Sequence, residues 1–201
     1  MEFEQALRQR RMVRAFTREP VASATIDEMC DLARRAPTAG NAAGIEFLVL
    51  EGDRTAAYWD VTLAPERRDG FAWPHLLDAP ALVVVWADVG SYLRRYREPD
   101  KSHTGLGAGE SAWSVPYWFV DGGAAVMALL LAAADRGLGA AFFAMFDHEP
   151  AVRQRFGVPS DRRGIGTVAV GHRAPHDRAS RSAQRPRRDL SEVLHRSSWR
   201  C

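Results

Sequence analysis

The chain has 201 residues, enough for one large domain or two small ones, and at 46% hydrophobic residues it can bury a sizeable core. Its net charge of +2 implies no global attraction to nucleic acid, and two cysteines, Cys30 and Cys201, make a disulfide framework or a zinc site implausible. The charge is uneven: residues 172–201 carry eight arginines against three acidic residues, a net of +5, which leaves −3 for the rest. Arginine outnumbers lysine 26 to 1, which speaks to genome composition more than to function. Met1 leads into a charged helix rather than a secretory signal, so the cytoplasm is the expected compartment.

Phe3, Ala6 and Leu7 fall at i, i+3 and i+4 and predict a short amphipathic helix whose apolar face runs on to Arg10. Arg10, Arg11 and Arg14 crowd five residues where that helix gives out, and Arg11 and Arg14 flank Val13 in an extended segment. Guanidinium forks grip phosphate oxygens in pairs, so their convergence at a helix end suits a phosphate. A solvated basic run is the plainer alternative. Thr25 and Glu28 read as a capping box for a second helix that runs to about Ala36 and stops at Pro37. In that helix Cys30 shares a face with Ile26, Met29 and Ala33, as a small core residue does. The next stretch, Ala36-Pro37-Thr38-Ala39-Gly40-Asn41, is built of small residues that let backbone N–H groups come close to a ligand, although a plain connector has the same composition.

Glu46 to Glu51 predicts a strand and Asp53 to Leu63 a helix. Ala81 to Trp86 is a continuous apolar run and predicts a buried central strand. From Asp88 to Pro116 the periodicity dissolves, and a loop of this length inside a domain reads as a lid, with Trp113 and Tyr117 at its end as aromatic candidates for a substrate or for a core plug. Trp118 to Arg136 predicts a helix buried on nearly all sides; its uncharged stretch, Gly122 to Ala134, is 13 residues, too short for a bilayer. Five small residues in its first half invite another helix to pack close, as at a subunit interface. Ala140 to Phe146 predicts a strand, Asp147 to Phe156 a helix capped by Asp147, and Gly166 to Gly171 a further strand. A basic arm, residues 172–201, contains Arg185, Arg187 and a short helix from Asp189 to His195. The order of elements describes a single α+β domain, residues 1–201: an α/β layered sandwich with a central mixed β-sheet flanked by helices.

No Gly-x-Ser-x-Gly elbow, Walker loop or His-Glu-x-x-His motif is present, and Gly105, Gly107 and Gly109 neither follow a strand nor open a helix. The histidines have no ligand spacing, so no metal is expected, and no side chain declares itself a catalyst. A phosphate grip, a small-residue loop and many aromatics without such a catalyst point to a cofactor that carries the chemistry.

Arg10-Arg11-Met12-Val13-Arg14 resembles the Arg-Arg-Ser-x-Arg opening of the FMN-dependent nitroreductase family. Ala36 to Asn41 resembles that family's Ala-Pro-Ser-x-x-Asn loop, and Gly137-Leu138-Gly139, Gly157-Val158-Pro159 and the pair Arg185 and Arg187 fall in family order over nearly the whole chain. The resemblance implies a flavoprotein that transfers hydride or electrons between NADH or NADPH and a small aromatic or conjugated acceptor. It also implies a homodimer with two FMN sites at the interface, each built from both subunits. Carried over residue by residue, Arg10, Arg11, Met12 and Arg14 contact phosphate, ribityl and ring edge, with Arg185 and Arg187 completing the phosphate grip. Pro37, Thr38, Ala39 and Asn41 come from the partner subunit, and Phe142, Phe143 and Ala144 line the isoalloxazine. Met12 stands where the family often has Ser, so only its backbone is expected to hydrogen-bond. The competing class is a flavin or deazaflavin storage protein, or a flavin-dependent oxidase of a specialised metabolite. A nucleic-acid module based on the basic arm is disfavoured, because Trp199 is its only aromatic.

Overall fold

The apolar run at Ala81 decides the architecture. In the computed structural model, which describes residues 1–199, it forms strand β2 (Ala81–Asp88), buried at every position. Because strand side chains alternate, one strand feeds two cores. Leu82, Val84 and Trp86 enter one cluster, whereas Ala81, Val83 and Val85 enter another. β1 (Ile45–Glu51) lies on one side of β2 and β4 (Arg162–Gly171) on the other, and β3 (Gly139–Phe143) completes the order β1-β2-β4-β3.

Every pairing of these strands is antiparallel, which corrects the expected mixed sheet. The parallel component shrinks to one bridge, Met12 to Ala140, outside the named strands. Through that bridge, and a second one from Phe16 to Arg173, the arginine segment is stitched along the β3 margin.

Helices α1 (Phe3–Gln9), α2 (Ser23–Ala33) and α3 (Asp53–Thr62) precede β2. α4 (Val89–Arg95), α5 (Tyr117–Asp135), α6 (Glu149–Phe156) and α7 (Leu190–Val193) follow it. α2 and α5 cover one sheet face through Ile26, Met29, Val126 and Leu129. α3 and α6 cover the other through Tyr58, Trp59 and Val152. The result is the expected layered α+β sandwich. α5 is 19 residues long with a mean hydropathy of 1.6, enough by length and composition to cross a bilayer, but half of it is buried within the fold. A Cβ on Gly122 would meet the Ile165 side chain at 2.7 Å, so that glycine serves packing within the subunit, whereas Gly123 faces open space.

Several boundaries differ from the sequence reading. α2 starts at Ser23, so Thr25 and Glu28 lie inside it and form no capping box; the Ser23 hydroxyl reaches the Glu51 carboxylate instead. α2 ends at Ala33, three residues short of the expected stop. β3 ends at Phe143, and a one-turn 3-10 helix, Phe146–His148, precedes α6, so Asp147 caps nothing. β4 begins at Arg162, because Gly164 to Arg162 continue to pair with Trp86 to Asp88 past a bulge. α7 ends at Val193, short of His195.

Candidate active site

The arginine cluster separates on folding. α1 ends at Arg10, whose guanidinium Nη1 is buried without a hydrogen-bond partner among the described residues. An unpaired buried cation is costly, so this atom marks a place where an anion would be stabilised. Arg11 does not converge with it: its guanidinium folds back onto the carbonyls of Arg8 and Arg10. Met12 exceeds expectation, since its sulfur accepts the Phe142 N–H at 3.4 Å and ties the arginine segment to the end of β3. Val13 donates its N–H to the Ala140 carbonyl at 3.0 Å. Asp177 accepts the N–H groups of both Arg14 and Ala15, at 2.9 and 3.0 Å. With its backbone pinned on both sides, Arg14 projects its guanidinium over the Trp73 ring, 5.1 Å from the centroid. Arg178 also lies over Trp73, at 5.6 Å.

Arg14 stands at the edge of a cavity of about 320 Å³. Phe142, Phe143 and Ala144, all three residues expected to line a flat ring, are on its wall. The sequence reading missed the opposite wall, which consists of Tyr58, Trp59, Phe71, Trp73 and Leu76. Phe143 stacks on Trp59 with centroids 5.6 Å apart and an interplanar angle of 21°. Such a contact fixes both rings and leaves their free edges to the cavity. Beneath them the Tyr58 and Thr167 hydroxyls are hydrogen-bonded at 2.8 Å, and burial pushes the Tyr58 hydroxyl up to about 12. Tyr58 therefore stays protonated at neutral pH and serves as a structural partner of Thr167, not as an acid.

None of the loop residues Pro37, Thr38, Ala39 and Asn41 lines that cavity; Ala39 lines a different one, together with Trp113 and Tyr117. The loop has an uncommon backbone. Gly40, Asn41 and Ala43 have φ of 62°, 58° and 49°, in the left-handed region. For Asn41 and Ala43 such conformations cost on the order of 1 kcal/mol or more and persist only where the surroundings impose them. Gly40 is required twice over, since a Cβ there would also meet the Tyr96 ring at 2.9 Å.

Residues 88–117, which supply the Arg95 contact to the Gly40 carbonyl, are not the aperiodic stretch expected. They fold into α4 and three one-turn 3-10 helices, Ser102–Thr104, Leu106–Ala108 and Glu110–Ala112. Trp113 is 7% exposed and donates its indole N–H to the Leu106 carbonyl at 2.9 Å. Its ring meets Tyr92, Tyr96, Tyr117 and Trp118. That is the setting of a core anchor. Tyr117 remains 45% exposed on the outside of the same aromatic cluster. Arg185 and Arg187 are exposed on the arm, away from the cavity lining.

A model of the nitroreductase family matches residues 7–172 of this sequence. The chain belongs to the nitroreductase family. It is 28% identical over 211 residues to a 4-nitrobenzoate reductase of Nocardioides sp. (strain LMS-CY), an alignment that covers 91% of this chain and 85% of that protein. A nitroreductase of Desulfovibrio desulfuricans solved in complex with FMN has the same fold, with a TM-score of 0.69 and 22% identity over 100% of this chain and 99% of its own. NfrA2 of Bacillus megaterium superposes with a TM-score of 0.75 and 20% identity over 100% of this chain and 76% of its own. In this chain, then, Arg14, Phe142, Phe143 and Ala144 come to a single cavity, with the Met12 sulfur accepting the Phe142 N–H. The same chain leaves the small-residue loop, Trp113 and Tyr117 on a separate surface.

Proposed function

We propose that two copies of this chain assemble into a homodimer with two FMN sites, and that each site takes its arginine-and-aromatic wall from one subunit and its small-residue loop from the other. The carrying observation is the cavity that Arg14 and Phe142 to Ala144 share; the buried Nη1 of Arg10, in the same arginine segment, has no hydrogen-bond partner among the described residues. The flavin phosphate would meet Arg10, with Arg185 and Arg187 arriving from the arm, and the ring edge would meet Arg14. Pro37, Thr38, Ala39 and Asn41 of the partner subunit would close the other side. Support for the dimer comes from the outward stripe of α5: Val120 and Met127 are 52% and 37% exposed, with Gly123 and Ala124 between them. Phe119 and Phe146, 46% and 82% exposed, extend the apolar surface beyond what a monomer usually leaves in water.

As a member of its family the chain is a flavin-dependent oxidoreductase. FMN, when bound, supplies reversible two-electron transfer between a reduced nicotinamide and an acceptor. The protein's task is to bind and orient the reactants, exclude water and hold positive charge at the ring edge. Arg14 would perform the last of these. No side chain needs to act as acid or base. The aromatic walls and the cationic rim suit a flat, anionic aromatic acceptor, which agrees with the likeness to a 4-nitrobenzoate reductase. Tyr117 would approach that acceptor from the partner's surface with its exposed ring, while Trp113 anchors the aromatic cluster behind it.

The test is a visible spectrum of the purified protein with mass spectrometry of the heat-released cofactor, followed by oxidation of NADH and of NADPH with 4-nitrobenzoate as acceptor. A yellow protein that releases FMN and turns over is expected. Bound FMN without turnover of either reductant would favour a storage role, and a colourless protein that does not take up FMN on titration would overturn the reading.

A further inference from the structure

We infer that Asp121 is a positioning residue for the cofactor loop and that, with Arg95, it holds residues 38–43 in the conformation the partner subunit's flavin requires. This rests on the two-chain site proposed above. Two polar contacts tie the loop to the helices around it. Asp121, on the first turns of α5 and 6% exposed, accepts the Ala39 N–H on Oδ2 at 2.8 Å. The same oxygen accepts the Tyr92 hydroxyl at 2.9 Å. Arg95, on α4, donates its Nε–H to the Gly40 carbonyl at 2.7 Å. Arg95 is itself fixed by Asp100, which takes both terminal nitrogens at 2.7 Å, and by Glu98 at 3.0 Å. Two consecutive residues of the loop are thus held, Ala39 by its N–H and Gly40 by its carbonyl.

The chemistry of the loop explains why it needs this. It has almost no side chain with which to anchor itself; its internal bonds, Asn41 N–H to the Thr38 carbonyl at 2.8 Å, Ala42 N–H to the Ala39 carbonyl at 3.1 Å and Ala43 N–H to Thr38 Oγ1 at 3.0 Å, close a one-turn 3-10 helix, Ala39–Asn41, but tie it to no other element. Asn41 and Ala43 sit in the left-handed region, which an unrestrained chain would leave. A buried carboxylate is an expensive anchor unless it is fully used, and here one oxygen serves two donors from two separate elements. Residues 89–100 therefore act as the loop's scaffold: α4 supplies Tyr92 and Arg95, and the turn after it supplies Glu98 and Asp100.

The experiment compares FMN titrations of wild type, Asp121→Asn, Asp121→Ala, Arg95→Met and Tyr92→Phe, with the visible band shape of the bound flavin and the melting temperature recorded for each. Asp121→Ala and Arg95→Met should bind FMN about tenfold more weakly and alter the flavin band. Asp121→Asn keeps an acceptor for Ala39, and Tyr92→Phe leaves that acceptor in place, so both should stay within about threefold of wild type. A purely structural Asp121 would lower the melting temperature yet leave affinity and band shape unchanged in the folded fraction, and that result overturns the inference. If Asp121→Ala does not fold, Arg95→Met decides, because its side chain lies outside the hydrophobic core. Failure of the wild type to bind FMN would overturn the two-chain reading itself, and this inference with it.

Discussion

The two halves of the candidate site are held by different physics. Arg14 and Phe142 to Ala144 ride on the sheet. Met12 and Val13 pair with β3, Phe143 stacks on the buried Trp59, and the cavity wall is continuous with the larger core. The small-residue loop has no such backing and is fixed by hydrogen bonds from Asp121 and Arg95. Packing tolerates no gap but needs no exact partner atoms, whereas a polar brace works through two or three directed bonds. Damage to the first half should therefore register as lost stability, and damage to the second as lost affinity at nearly constant stability.

The sharpest way to break this contrast is truncation of the anchors. Trp59→Ala should cost about 3–5 kcal/mol in urea unfolding and weaken FMN binding as well, because it removes a wall of the cavity. Trp113→Ala should also lower the melting temperature while leaving acceptor preference, measured as kcat/KM for 4-nitrobenzoate against a second nitroaromatic, unchanged. A changed preference at constant melting temperature would return Trp113 to the substrate. Next comes assembly. Val120→Glu puts a charge on the outward face of α5 and should yield a monomer by light scattering at micromolar concentration; a dimer that persists would place the interface elsewhere.

Arg10→Met should weaken FMN binding about tenfold, close to 1.4 kcal/mol, without lowering the stability of the apoprotein, since it removes a half-buried cation whose buried Nη1 has no hydrogen-bond partner among the described residues. Equal FMN affinity in titrations of the two proteins would remove Arg10 from the phosphate grip. The smallest effect concerns acid. Burial raises the Asp88 carboxyl, but hydrogen bonds from Ser91 and Arg94 and the charges of Arg162 and Arg94 outweigh it and hold the group below the usual carboxylate range. Its contribution to stability is then complete above that range and disappears as pH falls through the depressed value. Denaturation midpoints measured from pH 7 to pH 3 should fall less steeply in Asp88→Asn than in wild type.

What the sequence disclosed and what it hid follow from the range of the forces involved. β2, α5 and the order of elements were legible because burial writes apolar runs that need no knowledge of partners. Arg14 and Phe142 to Ala144 were found through a motif. Trp73, 59 residues along the chain from Arg14, was not, since a ring beneath a guanidinium leaves no local pattern. α4 escaped because its seven residues make only about two turns, too few for a helical period to show; the Ser91 hydroxyl and the Arg94 guanidinium reach back to Asp88 at its start. The Thr25 and Glu28 pattern misled for a related reason: Val21 and Ala22 lead straight into the helix, and Ser23 is engaged by Glu51. Asp121 was invisible within an apolar helix, where one acid reads as a flaw until Ala39 and Tyr92 are seen around it.

Because the arginine wall and the braced loop open onto separate surfaces of one chain, a lesion in either is inherited by opposite sites of a dimer. A subunit carrying Arg14→Ala, paired with one carrying Asp121→Ala, would gather both defects at one flavin site and leave the other site wholly wild type. Two alleles that are each defective alone would then complement when co-expressed, and about half of the sites in the mixed dimers would regain full cofactor affinity.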